Sequence, residues 1–399
     1  MISQDIESSQ PIVITDRDIV SYKRIIIMMK LTVTLALVAS SSAFVPHVSH
    51  VRSVRLSTPS VSSMKMMISM RDNKPSNSAL FSTTAAVAKD EGKGLSHTIK
   101  IGSLFGLWYA LNIGYNIYNK KVLTAVPQLT YILAWLQLAM GLFYVLPLWG
   151  LGLRKAPVLN SEEIKSLIPI AVLHSLTHLG AVISLGAGAV SFTHIVKAAE
   201  PAVSAALSAI FLRSFLPIPV YLSLLPVMGG VAMASLTELS FSWLSFSAAM
   251  VSNVASAARG IVGKMNMGKP MGKNMDAVNL YAVMTILSTL LLMPVCFAVE
   301  GAKIAPTLKA VAAAGGTKTL AIHTLLSAVF YYLYNEVAFL ALDNVEPVTH
   351  ALGNTIKRVV IILTSVLVLG SSMTTQGAIG SAIAIGGVLL YSLAKNYFK

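Results

Sequence analysis

Lys357 and Arg358 stand side by side inside a stretch of apolar residues long enough to cross a lipid bilayer. They lie about ten residues from its start, which on an α-helix is about 15 Å and close to the middle of the hydrocarbon. Each such cation costs roughly 2.5–3.5 kcal/mol at that depth on insertion scales. A chain that keeps two of them together must supply counter-charges or meet an anion there. An anionic cargo is the most economical reason.

The remainder of the chain fits that setting. Of its 399 residues 55% are hydrophobic and only 12% charged, with a mean hydropathy of +0.72. A soluble globular chain carries about 25% charged residues, so this is an all-α integral membrane protein. The net charge of +14 does not point to nucleic acid, because the Lys and Arg residues lie in loops and the N-terminal leader. They form no run interleaved with aromatics. The single Cys296 excludes an internal disulfide and a Cys-based metal cluster. Residues 96–399 hold no Walker-type glycine loop, His-Glu-x-x-His pair, paired-carboxylate cluster or Gly-x-Ser-x-Gly elbow. These absences argue against an ATP-driven pump, a membrane-embedded enzyme, a resident metal and a cofactor.

Ten apolar stretches are expected to span the membrane, at about 99–119, 127–149, 166–187, 190–212, 219–236, 241–262, 279–298, 319–340, 348–370 and 375–394. An even number places both ends of the domain on one side. Loop charge agrees, since Arg154, Lys155, Lys165, Arg213, Lys264, Lys269, Lys273, Lys395 and Lys399 fall on the terminal side. The opposite side holds Lys120, Lys121, Lys303, Lys309 and Lys318.

Ahead of that domain, Met28-Met29-Lys30 and the apolar run that follows read as a signal peptide over 28–43, and residues 1–27 as a gene-model extension. Residues 44–95 read as a transit peptide and leader without stable fold. Residues 44–88 are Ser-rich and basic, with Asp72 the one acid. The junction Ser42-Ala43-Phe44-Val45-Pro46 resembles the cleavage motif of proteins sent to the complex plastids of diatoms and related algae.

Ten helices divide into five and five. The fourth span contains Thr193-His194 with Lys197 three residues later, and the ninth contains Thr349-His350 with Lys357 seven residues later. The offsets differ by about one helical turn, so both lysines can point along comparable faces. Two five-helix halves of opposite orientation form an inverted repeat with a site at the midplane between them.

Lys197, Lys357 and Arg358 therefore read as a cationic pocket for a phosphate, Arg358 offering a planar fork and the lysines point charges. Glu200 is spaced to pair with Lys197 on one helix face, and Glu336 in the eighth span to reach a partner. Arg259 in the sixth span adds to the positive surplus. His178 and Tyr334 can each donate to a phosphate or hydroxyl oxygen. Tyr109, Asn112, Asn116 and Asn119 share a face of the first span, which suits interhelical hydrogen bonding or a polar path.

These residues together resemble the plastidic phosphate translocators of the drug/metabolite transporter superfamily. The resemblance covers about residues 100–397. It is strongest from Ala189 to Pro201, from Tyr332 to Asn335 and from Val348 to Arg358, with Trp108-Tyr109, Asn112, Asn116 and Asn119 in the first helix. It implies an antiporter that exchanges phosphorylated three-carbon metabolites for inorganic phosphate across a plastid envelope membrane. In the resemblance, phosphate ligands fall on Lys197, Lys357 and Arg358, and contacts to the rest of the substrate on His178, Arg259 and Tyr334. Triose-phosphate members usually carry a hydroxyl residue three positions after the His, where this chain has Ala181, as pentose- and hexose-phosphate members do. Glu336 stands where a Gln is usual. A nucleotide-sugar carrier of the same superfamily is the more distant alternative.

Overall fold

The computed structural model describes residues 77–399 except 240, 267–271, 346, 372 and 399, with backbone alone at 77–97, 264–266, 347 and 348. The segments read as a gene-model extension and a signal peptide, and the transit segment up to residue 76, lie outside the described residues. Among the described residues, those from 104 onward form one unit by contacts and those up to 103 belong to another, which is helical.

The described residues form helices joined by loops, with one antiparallel bridge between Val158 and Lys273. Helix α1 (Asn77–Ala125) starts well ahead of the expected span and is followed by a short 3-10 turn. Next come α2 (Thr130–Gly150), α3 (Ser161–Ala187), α4 (Val190–Lys197), α5 (Glu200–Phe211), α6 (Ile218–Leu222) and α7 (Leu224–Leu236). The second part of the chain supplies α8 (Trp243–Asn266), α9 (Ala277–Ala313), α10 (Thr317–Asn344), α11 (Pro347–Leu369) and α12 (Thr375–Tyr397).

Seven stretches among the described residues are long and apolar enough to cross a membrane: Pro127–Gly150, Ser161–Ala187, Ile218–Leu236, Ala277–Ala313, Thr317–Asn344, Thr349–Leu369 and Thr375–Tyr397. The other expected spans are the polar ones. The expected span in α1 carries three asparagines, α4 and α5 are separate helices, and α8 carries serines and Arg259. Leu236, Leu367, Ile218 and Trp243 are 75–87% exposed. So much apolar surface suits hydrocarbon and would be a liability in water.

Several helix ends that hydrocarbon would leave unsatisfied are capped from within the fold. Asn160 and Glu163 form a reciprocal capping box at the start of α3, and Asp276 and Thr374 cap α9 and α12. The start of α2 has no cap of its own; buried Glu300 on α9 accepts from the Ile132 amide at 3.0 Å instead. At the C-terminal end of α3, Lys120 donates to the Leu185 and Gly188 carbonyls at 2.9 and 2.8 Å, where the helix dipole favours a cation.

Two seams bring backbones close. A Cβ on Gly180 of α3 would lie 2.8 Å from the Ala248 carbonyl oxygen of α8. Between α7 and α12, a Cβ on Gly230 would run into the Ala384 backbone, and one on Gly380 would lie 2.7 Å from the Ala234 nitrogen. Glycine lets these helices approach where dispersion is the main cohesive force.

Candidate substrate site

The expected fourth span is not one helix. Pro201 has no N–H, and its ring obstructs the carbonyl four residues earlier, that of Lys197. The amides of Ala198 and Ala199 turn back to Ile195 and Val196, at 2.9 and 3.1 Å, in three-residue steps that end α4. Lys197 thereby becomes the last residue of α4 and Glu200 the first of α5. A cation at a helix C-terminus and an anion at an N-terminus are each favoured by the local dipole, so the break places both charges well.

Glu200 then bonds to other side chains than the partner that its spacing suggests. One carboxylate oxygen accepts from Arg358 at 3.0 Å and the other from Ser256 at 2.6 Å. No ion pair joins Glu200 to Lys197 among the described residues. With α4 and α5 as separate helices, the three-residue spacing leaves the two groups within electrostatic reach without an ion pair. Lys197 donates instead to the Ser252 hydroxyl at 2.7 Å, which donates to the Thr177 carbonyl at 2.7 Å.

Lys357, one residue before Arg358, places its ammonium 4.6 Å from the centre of the Trp108 ring. His350 stacks on that ring at 5.0 Å with an interplanar angle of 16°. Lys197, Lys357 and Arg358 all lie within electrostatic reach of Glu200 and of one another, and Arg259 is within reach of Lys197 and Glu200. Four basic side chains from α4, α8 and α11 thus lie within reach of one half-buried carboxylate, and Arg358 pairs with it.

The expected contacts to the rest of a substrate form a second group. His178 on α3 hydrogen-bonds the Ala134 carbonyl at 3.1 Å and lies 4.0 Å, ring to ring, from Tyr331. Tyr334 stands edge-on to Tyr331 at 5.7 Å and packs on Tyr115 at 5.3 Å. His178 and Tyr334 are therefore joined through Tyr331. Arg259 donates to Nδ1 of His174 at 2.7 Å.

Glu336 serves another part of the fold. It accepts from both terminal nitrogens of Arg154, at 2.6 and 3.3 Å, tying the α2–α3 loop to α10. Burial alone would lower the Arg154 guanidinium; the hydrogen bond and charge of Glu336 outweigh it and hold the group above its ordinary value. The polar face of α1 makes interhelical hydrogen bonds: Tyr109 donates to Gly353, Asn116 accepts from His194 at 3.0 Å, and Asn119 accepts from Gln137 at 2.8 Å.

The sequence model described as the triose-phosphate transporter family matches residues 99–392, which include every residue of this site. The chain belongs to the triose-phosphate transporter family. It is 41% identical over 309 residues to phosphoenolpyruvate/phosphate translocator 1, chloroplastic, of Oryza sativa subsp. japonica, covering 77% of this chain and 74% of that one. Against the chloroplastic triose phosphate/phosphate translocator of Flaveria pringlei the identity is 43% over 299 residues, 74% and 71% of the two chains. Against glucose-6-phosphate/phosphate translocator 2, chloroplastic, of Arabidopsis thaliana it is 41% over 300 residues, 75% and 76%. As a member of this family the chain is a transporter and not an enzyme.

Sequence reasoning missed several side chains around the transporter's site. Ser252 and Ser256 precede the expected Arg259 at helical spacing on α8 and contact Lys197 and Glu200. That spacing was the available signal. His174 lies one turn before His178 on the same face of α3. Nothing local marks Trp108 as the ring beneath Lys357.

Proposed function

We propose that this transporter exchanges phosphorylated three-carbon metabolites (triose phosphate, 3-phosphoglycerate or phosphoenolpyruvate) for inorganic phosphate across a plastid envelope membrane. The observation that carries the reading is the excess of basic groups at the break after α4: Lys197, Lys357, Arg358 and Arg259 lie within electrostatic reach of the carboxylate of Glu200. A phosphate monoester carries about −1.5 to −2 charges and matches most of that excess. Arg358 supplies the fork for two phosphate oxygens and the lysines supply point charges. His178, Arg259 and Tyr334 meet the remainder of the substrate.

In this reading ten helices span the bilayer as two inverted five-helix repeats, with α4–α5 and α11 in matching positions of the two halves. Rocking of the halves around the phosphate site gives alternating access. Closure over unneutralised cations removes the water that screens their repulsion, so the loaded carrier crosses and the unloaded one does not. The leader directs the chain into a complex algal plastid, with a signal peptide at 28–43 and a transit segment at 44–95.

Ala181 favours a second reading, as a pentose- or hexose-phosphate carrier. It is half-buried one turn from His178 and offers no hydroxyl to a small substrate. The deciding experiment is a counter-exchange panel in phosphate-loaded proteoliposomes. The primary reading expects triose phosphate, 3-phosphoglycerate or phosphoenolpyruvate to exchange with the lowest KM. Preference for xylulose 5-phosphate or glucose 6-phosphate would establish the second.

A further inference from the structure

Arg259 is held at 2.7 Å by a neutral imidazole, that of His174. A guanidinium can only donate, so Nδ1 of His174 is an acceptor and the ring proton sits on Nε2. The ring is buried at 4% exposure, stands edge-on to Tyr281 at 6.0 Å, and its Nε2 has no hydrogen-bond partner among the described residues. Its orientation is therefore set by packing and by Arg259 alone.

The carboxylates near this region are already taken. Glu200 accepts from Arg358 and Ser256, and Glu336 from Arg154. No ion pair involves Arg259 among the described residues. An acidic partner would orient Arg259 but cancel its charge and compete with an anionic ligand. A neutral imidazole orients the guanidinium and leaves both its charge and its remaining N–H donors for a ligand. Arg259 is within electrostatic reach of Lys197, Tyr331 and Tyr334, so the aimed group faces the same central region.

We propose that His174 is a positioning residue that aims Arg259 at the non-phosphate end of the substrate, and that it thereby favours phosphorylated metabolites bearing a carboxylate. The inference rests on the reading that Arg259 meets that end. His174 acts through Arg259 and does not itself touch the substrate.

The test uses the purified full chain in proteoliposomes and compares 3-phosphoglycerate, dihydroxyacetone phosphate and inorganic phosphate. His174→Phe keeps a ring and loses the acceptor. It should raise the KM for 3-phosphoglycerate about tenfold and leave that for phosphate within about twofold. His174→Gln, which keeps an acceptor, should recover part of the loss. In an Arg259→Gln background, itself impaired for 3-phosphoglycerate, His174→Phe should add little further effect. Equal losses for all three substrates, or full effects of His174→Phe without Arg259, would overturn the proposal. An Arg259→Gln variant with unchanged KM for 3-phosphoglycerate would instead overturn the role given to Arg259. If His174→Phe fails to reconstitute, His174→Gln and its double variant with Arg259→Gln decide by the same criteria.

Discussion

Arg358 and Glu200 are 158 residues apart in sequence, yet they meet as an ion pair at 3.0 Å. The carboxylate lies within reach of four basic groups, and in the proposed site phosphate competes with it for the Arg358 fork. Glu200→Gln should therefore weaken the protein most when phosphate is absent. Removing one partner of a fully buried pair costs roughly 3–5 kcal/mol. With the Glu200 side chain 28% exposed the loss falls below that range. The expected result is a lower melting temperature in phosphate-free detergent, largely restored by saturating phosphate. A loss that phosphate does not reverse would make Glu200 purely structural. Arg358→Lys keeps the charge and loses the fork, and should raise the phosphate KM at least about tenfold.

Trp108 offers its ring to Lys357 at 4.6 Å while His350 stacks on the same indole. A desolvated cation–π contact contributes on the order of 1–2 kcal/mol. Trp108→Phe, which retains an aromatic face, should change the phosphate KM by less than about threefold, and Trp108→Leu by about tenfold. Equal effects of Phe and Leu would show that volume, and not the π face, is what matters.

Glu336→Gln leaves the partly buried Arg154 without its anion. Because Glu336 holds the guanidinium above its ordinary value, Arg154 contributes its charge at every accessible pH, and its share of the pair is not lost by raising pH within that range. The substitution should lower the melting temperature and leave the phosphate KM within about twofold, since neither residue pairs with the cations of the site. A large KM change would tie the α2–α3 loop to transport.

Gly380→Val tests the α7–α12 seam. Even a Cβ there would lie 2.7 Å from the Ala234 backbone nitrogen, so the branched side chain forces the helices apart. Overpacking of this kind costs about 1–3 kcal/mol. A clear fall in melting temperature is expected, and unchanged stability would show that the seam can slide.

Much of this was legible in the chain itself. The apolar stretches foretold the helices because hydrocarbon demands continuous apolar length, and Lys357 and Arg358 declared themselves by their cost at mid-membrane. Two things escaped for physical reasons. Pro201 was visible, but its breaking of the fourth span depended on where the carbonyl of Lys197 lay, and that break redirected Glu200 from Lys197 to Arg358. His174 and Trp108 act through contacts between helices, which the periodicity of one helix does not encode. The stripe Ser252, Ser256 and Arg259 on α8 was present in the spacing and marks the face that meets the site.

The most direct measurement is labelled phosphate uptake into proteoliposomes that hold either phosphate or buffer alone. Four basic groups within reach of one carboxylate predict fast uptake only into the phosphate-loaded vesicles, because the unloaded carrier does not return. Equally fast uptake into empty vesicles would contradict the account.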